Sequence, residues 1–329
     1  MTAELLAPFE KMLGDICPPS VIRSVEAGSP ITGLWSSIES SGFLDALVAE
    51  VHGGAGLSLA DVGALAHAIG QHAVPAPVSQ TIVARALIAP TGSIPSDGPI
   101  VLVVPASDRA GLVARAVPQA MVARHALIER SDRLVLAPLN EADVRPTGVR
   151  GSLGADIAWH SSPAGIEAPL PPGGLRPIAA ALRAAEIGGT CSRLLDMTTA
   201  YARDRVQFGK PIARLQAIQQ QLAVMAEQVV LVRMAAQVGC RAGFPPPMAA
   251  AATAKQIASV AAVQVASTGH AIHGAIGLSE EFDLQIFSRR LHEWRLADGS
   301  EGYWAKLLGR ARLVKHGQNS LKFAAQIAA

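Results

Sequence analysis

The sequence has no excess of charge: 28 Lys and Arg stand against 26 Asp and Glu, a formal net charge of +2. That balance gives no reason to expect a nucleic acid or an anionic membrane as partner. Cysteine is scarce, and Cys17, Cys191 and Cys240 lie far apart without metal-ligand spacing, so no metal site is expected. No run approaches 18 consecutive apolar residues free of charge; VLVVP at 101–105 is strand length, so no membrane span is expected. The opening MTAELLAPFEKM has no basic-then-apolar signal segment, and the expected location is the cytoplasm.

What is present is apolar mass. Half of the 329 residues are hydrophobic, enough for a large core, and the length favours two or three domains. Residues 1–92 are rich in Ala and Leu, with helical stretches at 4–13, 31–48, 58–70 and 78–88, divided by Pro18-Pro19, by HGGAG at 52–56 and by Pro75 and Pro77. Residues 93–175 carry short Val, Leu and Ile runs at 100–104, 112–117, 121–129 and 133–137; ALIERSDRLVLAPL reads as two strands joined by a polar turn, and EAPLPPGGL at 167–175 as a linker or rigid turn. Residues 176–329 return to helix. Leu215, Ile218, Leu222, Met225, Val229 and Val232 recur at steps of three and four, one continuous apolar face of a bundle helix. Further helices are expected at 249–271, 282–296, 302–314 and 318–328, with spare apolar surface for oligomerisation. The expected fold class is mainly α with a small β domain: a helical N-terminal domain, a reduced β-barrel-like middle and a C-terminal four-helix bundle.

YARDRVQFGKPIARLQAIQQQLAVM, residues 201–225, places Arg205, Phe208 and Gly209 at the mouth of the striped helix, with Pro211 suited to that helix's first turn. On chemistry alone this is a polar turn between helices, with arginine at a helix's negative pole. The whole string resembles the arginine-x-glutamine-phenylalanine-glycine signature of the acyl-CoA dehydrogenase family. AEVHGGAGLSLADVGALAHAIGQHAVPAPV at 49–78 is similar to that family's helical-domain motif, with Ala49 where its usual proline stands. AATAKQIAS at 251–259 and HAIHGAIGLSEEFDLQIFSRR at 270–290 resemble its C-terminal bundle segments. The 272–300 stretch looks closer to the branch from bacterial steroid and cholesterol side-chain degradation, in which two different subunits combine, than to the straight-chain fatty acyl enzymes.

The resemblance implies an FAD enzyme. A base takes the α-proton of an acyl-CoA thioester, a hydride leaves Cβ for the flavin, a trans-2-enoyl-CoA forms, and electrons pass to an electron-transfer flavoprotein. It gives Arg205 the FAD diphosphate of a neighbouring subunit, Phe208 the adenine end, and Gln216 a contact to the same dinucleotide. The family's glycine loop reads AIHGAIG at 271–277: Gly274 and Gly277 are kept, Ala271 replaces a glutamine and Ala275 a glycine. Without the resemblance those glycines are a turn between helices, and His273 is a packing or backbone-bonding histidine.

WRLADGSEGYWAKLLGR at 294–310 resembles the segment that supplies the base as glutamate followed by Gly-Thr, here Asp298, Gly299 and Ser300. Aspartate is shorter by about 1.5 Å, and a displacement of that order can cost a hundredfold in rate. Ser300 keeps the threonine's hydroxyl and is placed by the resemblance in the cofactor set, while Gly302 replaces a glutamine that often contacts the flavin side. Glu301 and Glu293 are the local competitors; Glu301 fits the first turn of a helix capped by Ser300. The base position used by other branches falls near Ala179, with Glu186 the nearest acid, two turns away. The family's Thr-Glu-Pro and Trp-containing strands are missing between Ile82 and Gly174, and Trp159 does not match the latter. Three readings follow: a dehydrogenase subunit, in a homo-oligomer or a heterotetramer with a longer family member; a non-catalytic partner subunit or helical interaction scaffold; or flavin-dependent oxygenation on the same scaffold.

Overall fold

The computed structural model describes residues 3–94, 97–106, 112–314 and 319–328. The chain begins with five helices, α1 (Ala3–Ile16), α2 (Pro19–Glu26), α3 (Thr32–Ser40), α4 (Leu59–Gln71) and α5 (Val78–Ile88). Pro18-Pro19, expected as a break, does part α1 from α2, and Pro19 also opens α2, a helix without its own expectation, because a proline in the first turn gives up an N–H that has no helical partner anyway. The helix expected over 31–48 stops at Ser40: Gly42 turns left-handed at φ 77° and a short 3₁₀ turn follows. α4 begins with a reciprocal Ser58–Asp61 capping box.

Seven strands follow: β1 (Ile100–Val103), β2 (Leu112–Val117), β3 (His125–Glu129), β4 (Arg133–Pro138), β5 (Asp143–Pro146), β6 (Ala155–Trp159) and β7 (Ile166–Pro169). They form two sheets, ordered β1-β3-β4-β7 and β2-β6-β5. The expected hairpin is β3–β4, with Leu127 opposite Leu136. The last three strands have no clear sequence signal because they are short and interrupted by Pro and Gly; the segment read as a linker from 167 starts inside β7. Alternation decides which core each residue joins. Val101 and Val103 point between the sheets, with Ile128, Ile157 and Trp159; Ile100 and Leu102 point to the helices.

Then come α6 (Leu175–Asp204), a hairpin of β8 (Val206–Gln207) and β9 (Lys210–Pro211), α7 (Gln216–Arg241), α8 (Met248–His273), α9 (Leu284–Leu296), α10 (Glu301–Val314) and α11 (Ser320–Ala328). Residue 318, expected to open the last helix, lies outside the described residues. α6 through α9 form the bundle and α10 packs on α8. One apolar core runs from Phe9 and Leu65 of the first helices into Leu182, Val232 and Val265 of the bundle. Met225, Val229 and Val232 are buried, while Leu215, Ile218 and Leu222 pack on Ala202 and Ile272 at the far end. Among the described residues α7 alone is long and apolar enough by composition to cross a membrane; one face lies in the bundle core, and Val230, Leu231 and Met234 are exposed.

Candidate active site

A cleft of about 680 Å³ opens between the smaller sheet and the bundle, lined by Leu102, Val117, Ala179, Leu296, Asp298 and Gly299 among others. Asp298 reaches it because α9 ends at Leu296 and the next residues do not continue the helix. Ala297 is extended, Asp298 has φ 57° and Gly299 φ 103°. Aspartate is one of the few side chains that enter the left-handed region readily. Glycine is required next, since a Cβ at 299 would lie 2.6 Å from Nε1 of Trp304.

The Asp298 side chain is 15% exposed, and its Oδ2 accepts a hydrogen bond from Arg183 Nε at 3.0 Å. Arg183 is buried inside α6 and also donates through Nη1 to Glu186 Oε2 at 2.5 Å. Its guanidinium lies over the Trp294 ring at 5.2 Å. Burial works against this cation, but Glu186 and Asp298 outweigh it and hold the guanidinium firmly protonated. Burial pushes the Glu186 carboxyl up, against the pull of Arg183 and of the Ser79 hydroxyl that donates to it.

A second cation lies on the other side of the turn. Lys255 of α8 is fully buried, and its Nζ donates to Ser259 Oγ at 2.8 Å, Arg295 O at 2.9 Å and Gly299 O at 3.0 Å. Burial pushes this ammonium down to about 7, with Asp298 pulling the other way. The sequence holds a faint trace of both cations, a lone Arg183 in AAALRAAEIGG and a lone Lys255 in AATAKQIAS. Nothing in the spacing says that two helices bring them to either side of residue 298.

The competing acids are engaged elsewhere. Glu301 lies in the first turn of α10 and pairs with Arg295; burial raises its carboxyl, but Arg295 and a backbone N–H outweigh that and hold it low. Glu293 lines the cleft, bonded to Ser152 Oγ at 3.1 Å and Arg290 Nη1 at 3.3 Å. Ala179 lines the cleft with no acid beside it on α6; Glu186 is buried on Arg183. Ser300 Oγ accepts from Tyr303 N at 3.4 Å, a weak cap on α10.

The other sequence-predicted residues gather at the opposite end of α6. Arg205 caps that helix, and Phe208 and Gly209 form the tip of the β8–β9 hairpin with φ 53° and 73°, the two left-handed residues that a tight hairpin turn requires. Pro211 therefore belongs to the hairpin and α7 starts only at Gln216, contrary to the expected helix start. Phe208 is 84% exposed. Arg203, Arg205, Lys210 and Arg214 are exposed, and among the described residues none of the four pairs with a carboxylate. Gln216 is exposed at the first helical position of α7. The donor set suits a diphosphate, with a ring beside it for an aromatic base.

Gly274 ends α8 at φ 65° with open space where a Cβ would stand; at Gly277 a Cβ would meet Leu284 Cδ2 at 2.9 Å, so that glycine answers to internal packing. His273 Nδ1 donates to Gly269 O over 2.8 Å and the ring stacks on Tyr201 at 4.3 Å, a packing and backbone-bonding histidine. From residue 183 to 205 is about 33 Å at 1.5 Å per residue, so the hairpin and Asp298 lie at separate sites of one chain.

Residues 178–313 match the acyl-CoA dehydrogenase C-terminal domain. The chain is 28% identical over 292 residues to the acyl-CoA dehydrogenase IpdE2 of Mycobacterium tuberculosis, covering 83% of this chain and 85% of that protein. It is 42% identical over 119 residues to IpdE2 of Mycolicibacterium smegmatis, an alignment spanning 36% of this chain and 37% of that relative. Its fold superposes on a chain in the crystal structure of the ChsE4-ChsE5 complex from Mycobacterium tuberculosis with a TM-score of 0.82 at 20% identity, covering 96% of this chain and 97% of that chain. The bundle thus matches the acyl-CoA dehydrogenase C-terminal domain, and over most of its length the chain is similar to an acyl-CoA dehydrogenase in sequence and to solved structures in its helix, sheet, helix order.

Proposed function

We propose that this chain is a catalytic subunit of an FAD-dependent acyl-CoA dehydrogenase that converts an acyl-CoA thioester to a trans-2-enoyl-CoA. The observation that carries the reading is Asp298, a partly exposed carboxylate on the wall of a largely apolar cleft. Asp298 accepts the α-proton through the oxygen that Arg183 does not hold, and Arg183 keeps the carboxylate oriented. Leu102, Val117 and Leu296 exclude water from the reacting carbons. The flavin, when bound, accepts the hydride from Cβ. Arg205, Phe208 and Gln216 hold the dinucleotide end, and their distance from Asp298 suits a cofactor belonging to a neighbouring subunit's cleft; Gly274 lies at the same end of α6, and the resemblance adds Gly277 and Ser300 to the cofactor set.

The assembly is a mixed one with a longer family member, the substrate is a thioester of the steroid-degradation type, and the electron acceptor is an electron-transfer flavoprotein. The two-chain ChsE4-ChsE5 complex and the resemblance of the 272–300 stretch support this choice. Co-purification from the native host tests it: equal amounts of a second family chain are expected, and one FAD per subunit with this chain alone sinks the mixed assembly.

Asp298→Asn tests the chemistry. Fold and flavin content are expected to persist while anaerobic bleaching of the flavin by acyl-CoA falls by several orders of magnitude. Asp298→Glu is expected to keep or raise the rate. One observation favours a second reading: Asp298 is already bound to a buried arginine, which suits a partner subunit whose own cleft has no free base. Equal bleaching by parent and Asp298→Asn, in the presence of the partner, selects that reading.

A further inference from the structure

We propose that Lys255 is a positioning residue whose ammonium straps the last turn of α9 to the Asp298–Ser300 turn and so sets where the Asp298 carboxylate stands. The inference rests on the reading of Asp298 as the base.

Residues 298 and 299 both have positive φ, a turn that Asp and Gly enter readily but that must be fixed if the carboxylate is to stand in one place. The last carbonyls of α9 also have no helical N–H to receive. Lys255 answers both needs at once. It bonds Arg295 O, three residues before Asp298, and Gly299 O, one residue after it, while Ser259 Oγ takes its third hydrogen. The Ser259 hydroxyl in turn donates to Arg295 O at 3.0 Å. All three ammonium donors are thus used, two of them on carbonyls that bracket the acid.

Arg183 grips the carboxylate from α6 and Lys255 grips its backbone from α8, so the acid is located from two helices independently. A lysine is a costly way to fill this space if packing were its only task, because burying an ammonium carries a desolvation penalty that an apolar side chain of similar length avoids. What it adds is a compact charge with three rotatable donors able to reach carbonyls in different directions.

The test uses the protein purified with any partner chain it carries, and Lys255→Met as the main variant. Amide hydrogen exchange over 297–303 is expected to speed up about tenfold with loss of the strap's bonds, with no change along α4 and α6. Flavin bleaching by octanoyl-CoA and by the CoA thioester of a steroid side-chain acid is expected to slow about a hundredfold, at unchanged flavin content and unchanged half-saturating thioester concentration. In an Asp298→Asn background the same change should add no further loss. Unchanged exchange over 297–303 overturns the proposal, and so does a fully additive loss. If Lys255→Met does not fold, Ser259→Ala decides: exchange faster over 297–303 supports the strap, and parent-like exchange overturns it. Should Asp298→Asn bleach as fast as the parent, the reading of the base fails, while the exchange measurement still judges the strap by itself.

Discussion

The two ends of α6 are built on opposite principles. At the Arg183 end the charges around Asp298 are paired: Arg183 with Glu186 and Asp298, Glu301 with Arg295, and Lys255 with three oxygens, all at low exposure. At the Arg205 end four cations and a phenylalanine stand in solvent, and among the described residues the cations have no carboxylate partner. A buried charge without a partner is too costly to keep, so the first end is complete within the chain; an exposed charge costs little, so the second can wait for something from outside. On the proposed reading, the site for chemistry is prepared by folding and the site for the dinucleotide by association.

The largest effect should come from breaking the complete end. Arg183→Met leaves the buried Glu186 and the Asp298 carboxylate without their cation, and removing one partner of a buried pair costs about 3–5 kcal/mol. Chemical denaturation is the measurement, and a loss under 1 kcal/mol would show that the pair contributes little. The second effect is on pH. The folded-state value of Lys255, about 7, lies below its value of 10.5 in a free chain. Between those values the unfolded chain binds more protons, so the lysine's contribution to stability is fully present above about 10.5 and is lost as the pH falls towards 7. The charged groups that face it are Asp298, Arg183, Glu301 and Arg295. Melting curves of parent and Lys255→Met from pH 7 to 10.5 should diverge, the parent gaining with pH relative to the variant; parallel curves would contradict the assignment.

The exposed end should respond in the opposite sense. Arg205→Ala is expected to leave stability within about 0.5 kcal/mol but to lower flavin retained through gel filtration, and a variant with a lost melting transition and full flavin would make Arg205 structural. The smallest effect is at the hairpin tip. Phe208 holds φ 53° without burying its ring, and Phe208→Gly relieves left-handed strain of about 1 kcal/mol, so the melting point should rise slightly while flavin retention falls. A drop in both would mean that the ring packs on something within the assembly that stabilises this end.

Periodicity and punctuation located most of the helices. The 215–232 stripe, the β3–β4 hairpin and the bundle helices follow from apolar spacing and polar turns, because those signals lie within a dozen residues of chain. Asp298, Arg205 and Phe208 were legible as single positions. β5, β6 and β7 were not, since short strands take their identity from partners such as Val144 opposite Ile157. Pro18-Pro19 marked a true break, while Pro211 misled, because a proline's fixed φ suits both a helix start and a hairpin strand.

By itself the sequence determined the order helix, sheet, helix, the apolar faces that pack it, and the residue types available for chemistry, all of them local or periodic properties of the chain. Only the tertiary structure decided what surrounds Asp298. Arg183 is 115 residues away in sequence and bonds the acid, and Lys255 and Gly299 are 44 apart. Such pairings arise because burial forces each charge to find a partner among whatever the packed helices bring near, and no spacing within one segment records which partner that will be.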